Sequence, residues 1–200
     1  MRKILSTFFI FFVVFSQAQS KDPLLTKDAA AQEKWVNTIL KKMTNDEKIG
    51  QLLMVQAYST NDTLNEKFVE ELIQKYHAGS LIFMQGTPQK QAELTNKYQA
   101  LSKYPLLVSI DAEWGLDMRL QNAFRYPWNM TLGAVRNNEL IEKFGEQVGK
   151  HCKRLGIHIN FAPVVDININ PKNPIIGNRS FGENKENVTD KSIAFTKGLQ

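Results

Sequence analysis

Apolar residues fall at two different spacings along this chain, and the spacing changes from segment to segment. Trp35, Val36, Ile39, Leu40 and Met43 recur every three or four positions, which predicts a helix over about residues 30–42. Thr44, Asn45, Asp46 and Glu47 read as a capping box, in which the threonine hydroxyl and the glutamate carboxylate each satisfy an amide left free at a helix start. The helix they open runs into the apolar LLMV at 52–55, expected to be a strand. A helical stretch follows at about 64–76, expected to stop at Gly79. SLIFM at 80–84 reads as a second strand. Thr87 and Pro88 mark a helix start, because proline at the first helical position forfeits an N–H that would be unpaired anyway. That helix reaches about residue 102, and LLVSI at 106–110 is a third strand. A long helix is expected over 138–155, ended by Gly156, then a strand within 157–167 and a last helix over 186–199.

Strands alternating with helices imply an α/β fold with a parallel sheet and helices packed outside it. The strands are apolar runs, as expected where both faces are covered. An open doubly wound sheet and a parallel (β/α)8 TIM-type barrel both fit, and in either, binding residues collect at the C-terminal ends of the strands. A barrel takes roughly 250 residues. Here about four strand–helix units are counted in the 182 residues that follow position 18, so the chain is expected to be the N-terminal part of a longer fold. Half a barrel would leave an open sheet edge, which invites aggregation.

The beginning of the chain stands apart from this pattern. Arg2 and Lys3, the apolar run 4–15 and the small residues Ser16 and Ala18 have the layout of a cleaved secretory signal over residues 1–18. Residues 19–29 read as a polar leader, and 30–200 as one domain. The expected location is therefore outside the cytoplasm, periplasmic or extracellular. No later run is long enough to cross a bilayer. Formal charge is +5, or +3 once Arg2 and Lys3 leave with the signal, and the signs are mixed along the chain, which gives no basic stripe for nucleic acid. The single cysteine, Cys152, cannot close an internal disulfide and falls in a helical pattern as a packing residue.

The chemistry concentrates in two places. Asp111, Glu113, Trp114, Asp117 and Arg119 crowd within nine residues where the third apolar run ends. Asp111 and Glu113 are two apart and would share a face if the strand continued. Two carboxylates on one face are the raw material of glycoside hydrolysis; alternatively, one takes a hydroxyl and the other an arginine or an amide. The second place is NPIIGNRSFG at 173–182, an irregular loop carrying Arg179. A guanidinium grips two oxygens in a plane, whether from a ligand or from a structural carboxylate. No nucleophile elbow, phosphate loop or HExxH pattern occurs. Asp166, Asn168 and Asn170 begin like a calcium loop, but Pro171 and Gly177 stand where glycine and glutamate are needed. His77, His151 and His158 are scattered, so no metal and no cofactor is expected. Asn61, Asn129, Asn178 and Asn187 open glycosylation sequons, and a glycan on Asn178 would block the arginine loop.

The strings LVSIDAEWGLDMRL, FAPVVDIN and NPIIGNRSFG, with MTNDEKIGQLLMV before them, resemble the N-terminal half of the glycoside hydrolase family 3 barrel, and more closely its β-N-acetylglucosaminidase (β-N-acetylhexosaminidase) branch. The resemblance covers about residues 30–200. It implies that Asp111 binds sugar hydroxyls, that Arg179 also grips the sugar, that Arg119 holds nearby carboxylates and that Asp166 organises a strand end. The usual pattern after the aspartate has glycine and arginine where this chain has Trp114 and Leu116. The implied activity is retaining hydrolysis of terminal β-linked N-acetylglucosamine from glycans or peptidoglycan fragments, without cofactor. The nucleophile and acid/base would lie beyond residue 200, since the KHFPGHG-like stretch that precedes them is absent from this chain. A β-glucosidase or β-xylosidase of the same family and a non-catalytic carbohydrate-binding fragment are the alternatives.

Overall fold

The computed structural model describes residues 27–200, so the expected signal and most of the polar leader lie outside the described residues. The described residues fall into two units, residues 27–42 and Met43–Gln200. In the first, the predicted helix is present as α1 (Ala29–Leu40), with Trp35 and Leu40 exposed.

The second unit is a parallel α/β sheet. Its elements run α2 (Asn45–Gly50), β1 (Met54–Ser59), α3 (Thr63–Gln74), β2 (Ser80–Gly86), α4 (Pro88–Leu101), β3 (Leu107–Ile110), α5 (Asn129–Gly133), α6 (Asn138–Arg154), β4 (Ile159–Asn160) and α7 (Lys185–Leu199). The four strands lie side by side in the order β1-β2-β3-β4, all parallel. Consecutive parallel neighbours joined by helices are the repeating unit of a (β/α) barrel. Register places Ala57, Phe83, Ile110 and Asn160 in one row across the sheet.

Side chains alternate across each strand. Leu81, Phe83, Val108 and Ile110 face the helices and are fully buried with Val69 and Ile73 of α3, Leu94 and Tyr98 of α4, Val148 of α6 and Phe195 of α7. Each such buried aliphatic or aromatic side chain contributes about 1.5–3 kcal/mol. The other face is more polar: Ser109 Oγ donates to Leu81 O at 2.9 Å and lies 3.2 Å from Met54 Sδ. Helices α6 and α7 pack tightly because Gly145 and Gly198 have no side chain. A Cβ would come within 2.2 Å of Phe195 O at the first and 1.9 Å of Glu142 O at the second.

Most sequence expectations hold, with informative exceptions. The capping box forms: Thr44 N donates to Glu47 Oε2 at 2.8 Å and Glu47 N to Thr44 Oγ1 at 3.2 Å. Thr87 caps α4 with Pro88 next to it. The first strand begins two residues later than expected and runs on through Gln56, Tyr58 and Ser59, while Leu52 stays 84% exposed. An apolar run was the wrong marker there, because the unpacked face of β1 accepts polar residues. Helix α3 ends not at Gly79 but with His77 in the left-handed region (φ 59°), where Ala78 N reaches back to Leu72 O at 3.1 Å. Gly79 serves close approach instead, since a Cβ there would sit 2.6 Å from Gln51 Cα. The fourth strand is only two residues long.

Candidate functional site

The rim at the C-terminal ends of β3 and β4 gathers the charged residues. Strand β3 stops at Ile110, and Asp111 is the first residue beyond it. The segment that follows is held in place by the strand next door. Gly86 N donates to Arg119 O at 3.2 Å and Gln121 N to Gly86 O at 2.8 Å. Fully buried Leu120 pins the same point. On the β4 side, the Asn160 side-chain amide donates to Ala112 O at 3.4 Å and accepts from Ala112 N at 2.9 Å. A chain of rings, Phe124–Tyr126–Phe144–Phe195, with centroids 4.7, 4.8 and 5.0 Å apart, ties the segment to α6 and α7.

Within this frame the two carboxylates part company. Asp111, about one-fifth exposed, pairs with the guanidinium of Arg119. Glu113 is buried at 2% and takes Arg179 in a forked grip, with Nε at 3.0 Å from Oε2 and Nη2 at 2.6 Å from Oε1. They do not form an opposed pair on one face, because the strand has already ended. Each is committed to its own arginine. The Glu113 carboxylate raises the Arg179 pKa, chiefly by hydrogen bonding. Burial opposes the rise, and the charges of Glu113, Asp111 and Asp166 add to it. Asp111, Glu113, Arg119 and Arg179 therefore occupy one neighbourhood, with the exposed Asp166 at its edge.

Arg179 comes from the loop after β4, which has little regular structure. Its anchors are side chains bonded to backbone. Asn129 of α5, 1% exposed, donates Nδ2 to Arg179 O at 2.9 Å. Ser180 Oγ, fully buried, donates to Asp166 O at 2.6 Å and accepts from Gly182 N at 3.1 Å. Asn173 Oδ1 accepts from Ile175 N at 2.9 Å. Helix α5 can lie against this loop only because Gly133 lacks a Cβ, which would fall 1.8 Å from Phe181 O. Beside Arg179 a cleft of about 370 Å³ is walled by Trp114, Trp128 and the 174–178 segment. The two indoles lie 4.2 Å apart between centroids, tilted by 52°.

Sequence reasoning brought forward Asp111 and Arg179, and the structure brings both to the same rim. It left open whether Glu113 binds an arginine, and it does. It missed Asn129, Asn160 and Trp128; the burial of Asn129 and the two-sided clamp by Asn160 carry no sequence signature. Burial of Asn129 also closes that sequon in the folded chain, whereas Asn178 is exposed. Among the described residues no group of three His, Cys, Asp or Glu side chains is placed to hold a metal ion, and no helix is long and apolar enough to cross a membrane.

A parallel sheet with helices outside, carrying paired carboxylates and guanidiniums at the C-terminal strand ends, has the layout of a (β/α) barrel, in which sites sit at that end. The family model of the glycosyl hydrolase family 3 N-terminal domain matches residues 43–200, and the chain belongs to that family. It is 30% identical over 166 residues to a β-N-acetylglucosaminidase/β-glucosidase of Cellulomonas fimi, which covers 83% of this chain and 29% of the relative. It is 36% identical over 145 residues to β-hexosaminidase A of Pseudoalteromonas piscicida, which covers 66% of this chain and 24% of the relative. The solved structure of a family 3 β-N-acetylglucosaminidase from Paenibacillus sp. str. FPU-7 superposes with a TM-score of 0.69 at 34% identity, over 79% of this chain and 31% of that one. The chain thus spans 24–31% of the length of these relatives.

Proposed function

We propose that this chain is the sugar-gripping portion of a glycosidase that removes terminal β-linked N-acetylglucosamine from glycans or peptidoglycan fragments. The observation that carries the reading is the pairing at the rim. Asp111 is reachable from solvent yet held in place by Arg119, while Arg179 is fixed beside it by buried Glu113. Two carboxylates and two guanidiniums nearly cancel in charge. They present directed acceptors and donors to a neutral ligand, as sugar hydroxyls require. Orientation of this kind is worth much to a reaction, because it holds the anomeric carbon where a nucleophile can meet it in line.

Retaining hydrolysis also needs a nucleophile and an acid/base about 5 Å apart. Neither Asp111 nor Glu113 is offered for those tasks, since each is neutralised by its own arginine. In this reading the reacting groups come from outside residues 1–200, and the residues here bind and orient. The relatives' names, a β-N-acetylglucosaminidase/β-glucosidase and a β-hexosaminidase, support an amino-sugar substrate. Export through the N-terminal signal is part of the same proposal.

The test is calorimetric titration of the chain with N-acetylglucosamine, glucose and xylose. N-Acetylglucosamine should bind best, and Asp111→Asn should weaken it by roughly tenfold or more, the scale of a charge-assisted hydrogen bond of about 1.5–3 kcal/mol. Equal affinity in wild type and Asp111→Asn would sink the assignment of the site. Preference for glucose or xylose would move the substrate to a β-glucoside or β-xyloside.

A further inference from the structure

We propose that the cleft between the Trp114–Trp128 pair and the 174–179 segment is a second saccharide subsite, which receives the pyranose ring joined to the terminal sugar. This rests on the reading above for the terminal sugar itself. Trp114 stands where the family pattern has a glycine, so the resemblance assigns it nothing.

Two half-buried tryptophans stand side by side on this rim, each with part of its indole open to solvent. Tyr126 N donates to Trp114 O at 3.1 Å, the rings pack on each other at 4.2 Å, and the Arg125 guanidinium lies 5.2 Å from the Trp128 ring centre. The opposite wall is apolar, from Pro174, Ile175 and Ile176. The volume, about 370 Å³, falls in the range of small-ligand sites. A pyranose has two faces of C–H groups ringed by hydroxyls. Its positively polarised C–H face suits the negative face of an indole, and its hydroxyl edge suits a donor.

Arg179 links this cleft to the terminal-sugar position. It lines the cleft, while its Nε and Nη2 are spent on Glu113 two residues from Asp111. Its remaining nitrogen, Nη1, donates to Ile175 O at 3.3 Å on the exposed side. One guanidinium thus lines the cleft and feels the charge of Asp111, which makes the two positions neighbours.

The experiment is calorimetry of the chain with N-acetylglucosamine and with its β-1,4-linked disaccharide. The expected result is a preference for the disaccharide of about tenfold, the scale of one well-placed aromatic contact. Trp114→Ala and Trp128→Ala should each bring the ratio close to one, and Trp114→Phe should keep most of it. Far-ultraviolet circular dichroism checks the fold of each variant, and Trp114→Phe with Trp128→Ala carries the test if Trp114→Ala unfolds. Equal affinity of the two sugars for the wild type, or an undiminished ratio in the folded variants, overturns the inference. If the monosaccharide binds in an Asp111-dependent way while the disaccharide gains nothing, only the second subsite falls. If neither sugar binds, both readings fall.

Discussion

The segments that follow β3 and β4 end at the same rim but are built in opposite ways. After β3, residues 111–128 are laced to β2 by backbone hydrogen bonds, pinned by Leu120 and run into the core through stacked rings. After β4, residues 161–184 leave Phe161, Val165, Ile169 and Ile175 in solvent and are tied down by a handful of side chains. The acceptors of the rim are therefore set by the core, and the donor Arg179 is set by its partners. A binding site assembled this way has one rigid jaw and one jaw whose position depends on a few polar contacts.

Three experiments would break or sharpen that contrast. The largest effect is expected from Arg179→Met, which strands the buried Glu113 carboxylate. Removing one member of a buried pair costs about 3 kcal/mol, more than Glu113→Gln should, because Arg179 can turn to water and Glu113 cannot. Urea unfolding of both variants reads the difference, and equal losses would mean the two jaws are alike.

Ser180→Ala comes next. It removes a fully buried hydroxyl that joins Asp166 to Gly182, at about 2 kcal/mol. The damage should stay local, with faster proteolysis at exposed Lys172 but no gain in reactivity of Cys152. That thiol is buried in α6 and its pKa is pushed up to about 11 by burial, so it reports on the core. Simultaneous exposure of Cys152 to a thiol reagent would show that the loop and the core open together.

The smallest effect concerns the far side of the sheet. Glu66 of α3 bridges Lys90 and Lys97 of α4 at 2.8 and 3.1 Å, and Lys90 foremost holds its carboxyl below the ordinary range, against the effect of burial. A lowered folded value means stability fully present above the unfolded carboxylate pKa and lost as pH falls through the lowered one. Glu66→Gln should lower stability at neutral pH by no more than about 1 kcal/mol, seen as a slightly lower melting temperature, with the difference from wild type fading in acid. A difference that persists at pH 2 would point to packing rather than charge.

How much of this was legible in the sequence follows the range of the interactions. Thr44 with Glu47, and Thr87 with Pro88, act within four residues, and both formed as read. The alternation of strands and helices is also local, and it gave the fold class. Strand β1 was misplaced because its boundary depends on what the sheet covers: Leu52 is exposed while Ala57 is buried. Asp111 and Arg179 were marked as candidates, and Arg119 as a holder of nearby carboxylates, but the pairing of Glu113 with Arg179 was not marked, because they stand 66 residues apart and meet only through the fold. The indole pair was illegible for the same reason: Trp114 and Trp128 are brought together by a turn that no local pattern predicts.

Asn160 gives the rim a property out of proportion to its size. Strand β4 contributes only two residues to the ladder, yet its last side chain binds both the N–H and the C=O of Ala112, as a neighbouring peptide group would. An amide on a side chain thus impersonates one more rung, and after Phe161, whose N–H still donates to Ile110 O at 2.9 Å, the main chain leaves the ladder as a wall. Lengthening the strand by ordinary means would have flattened that wall into sheet and left no hollow beside it.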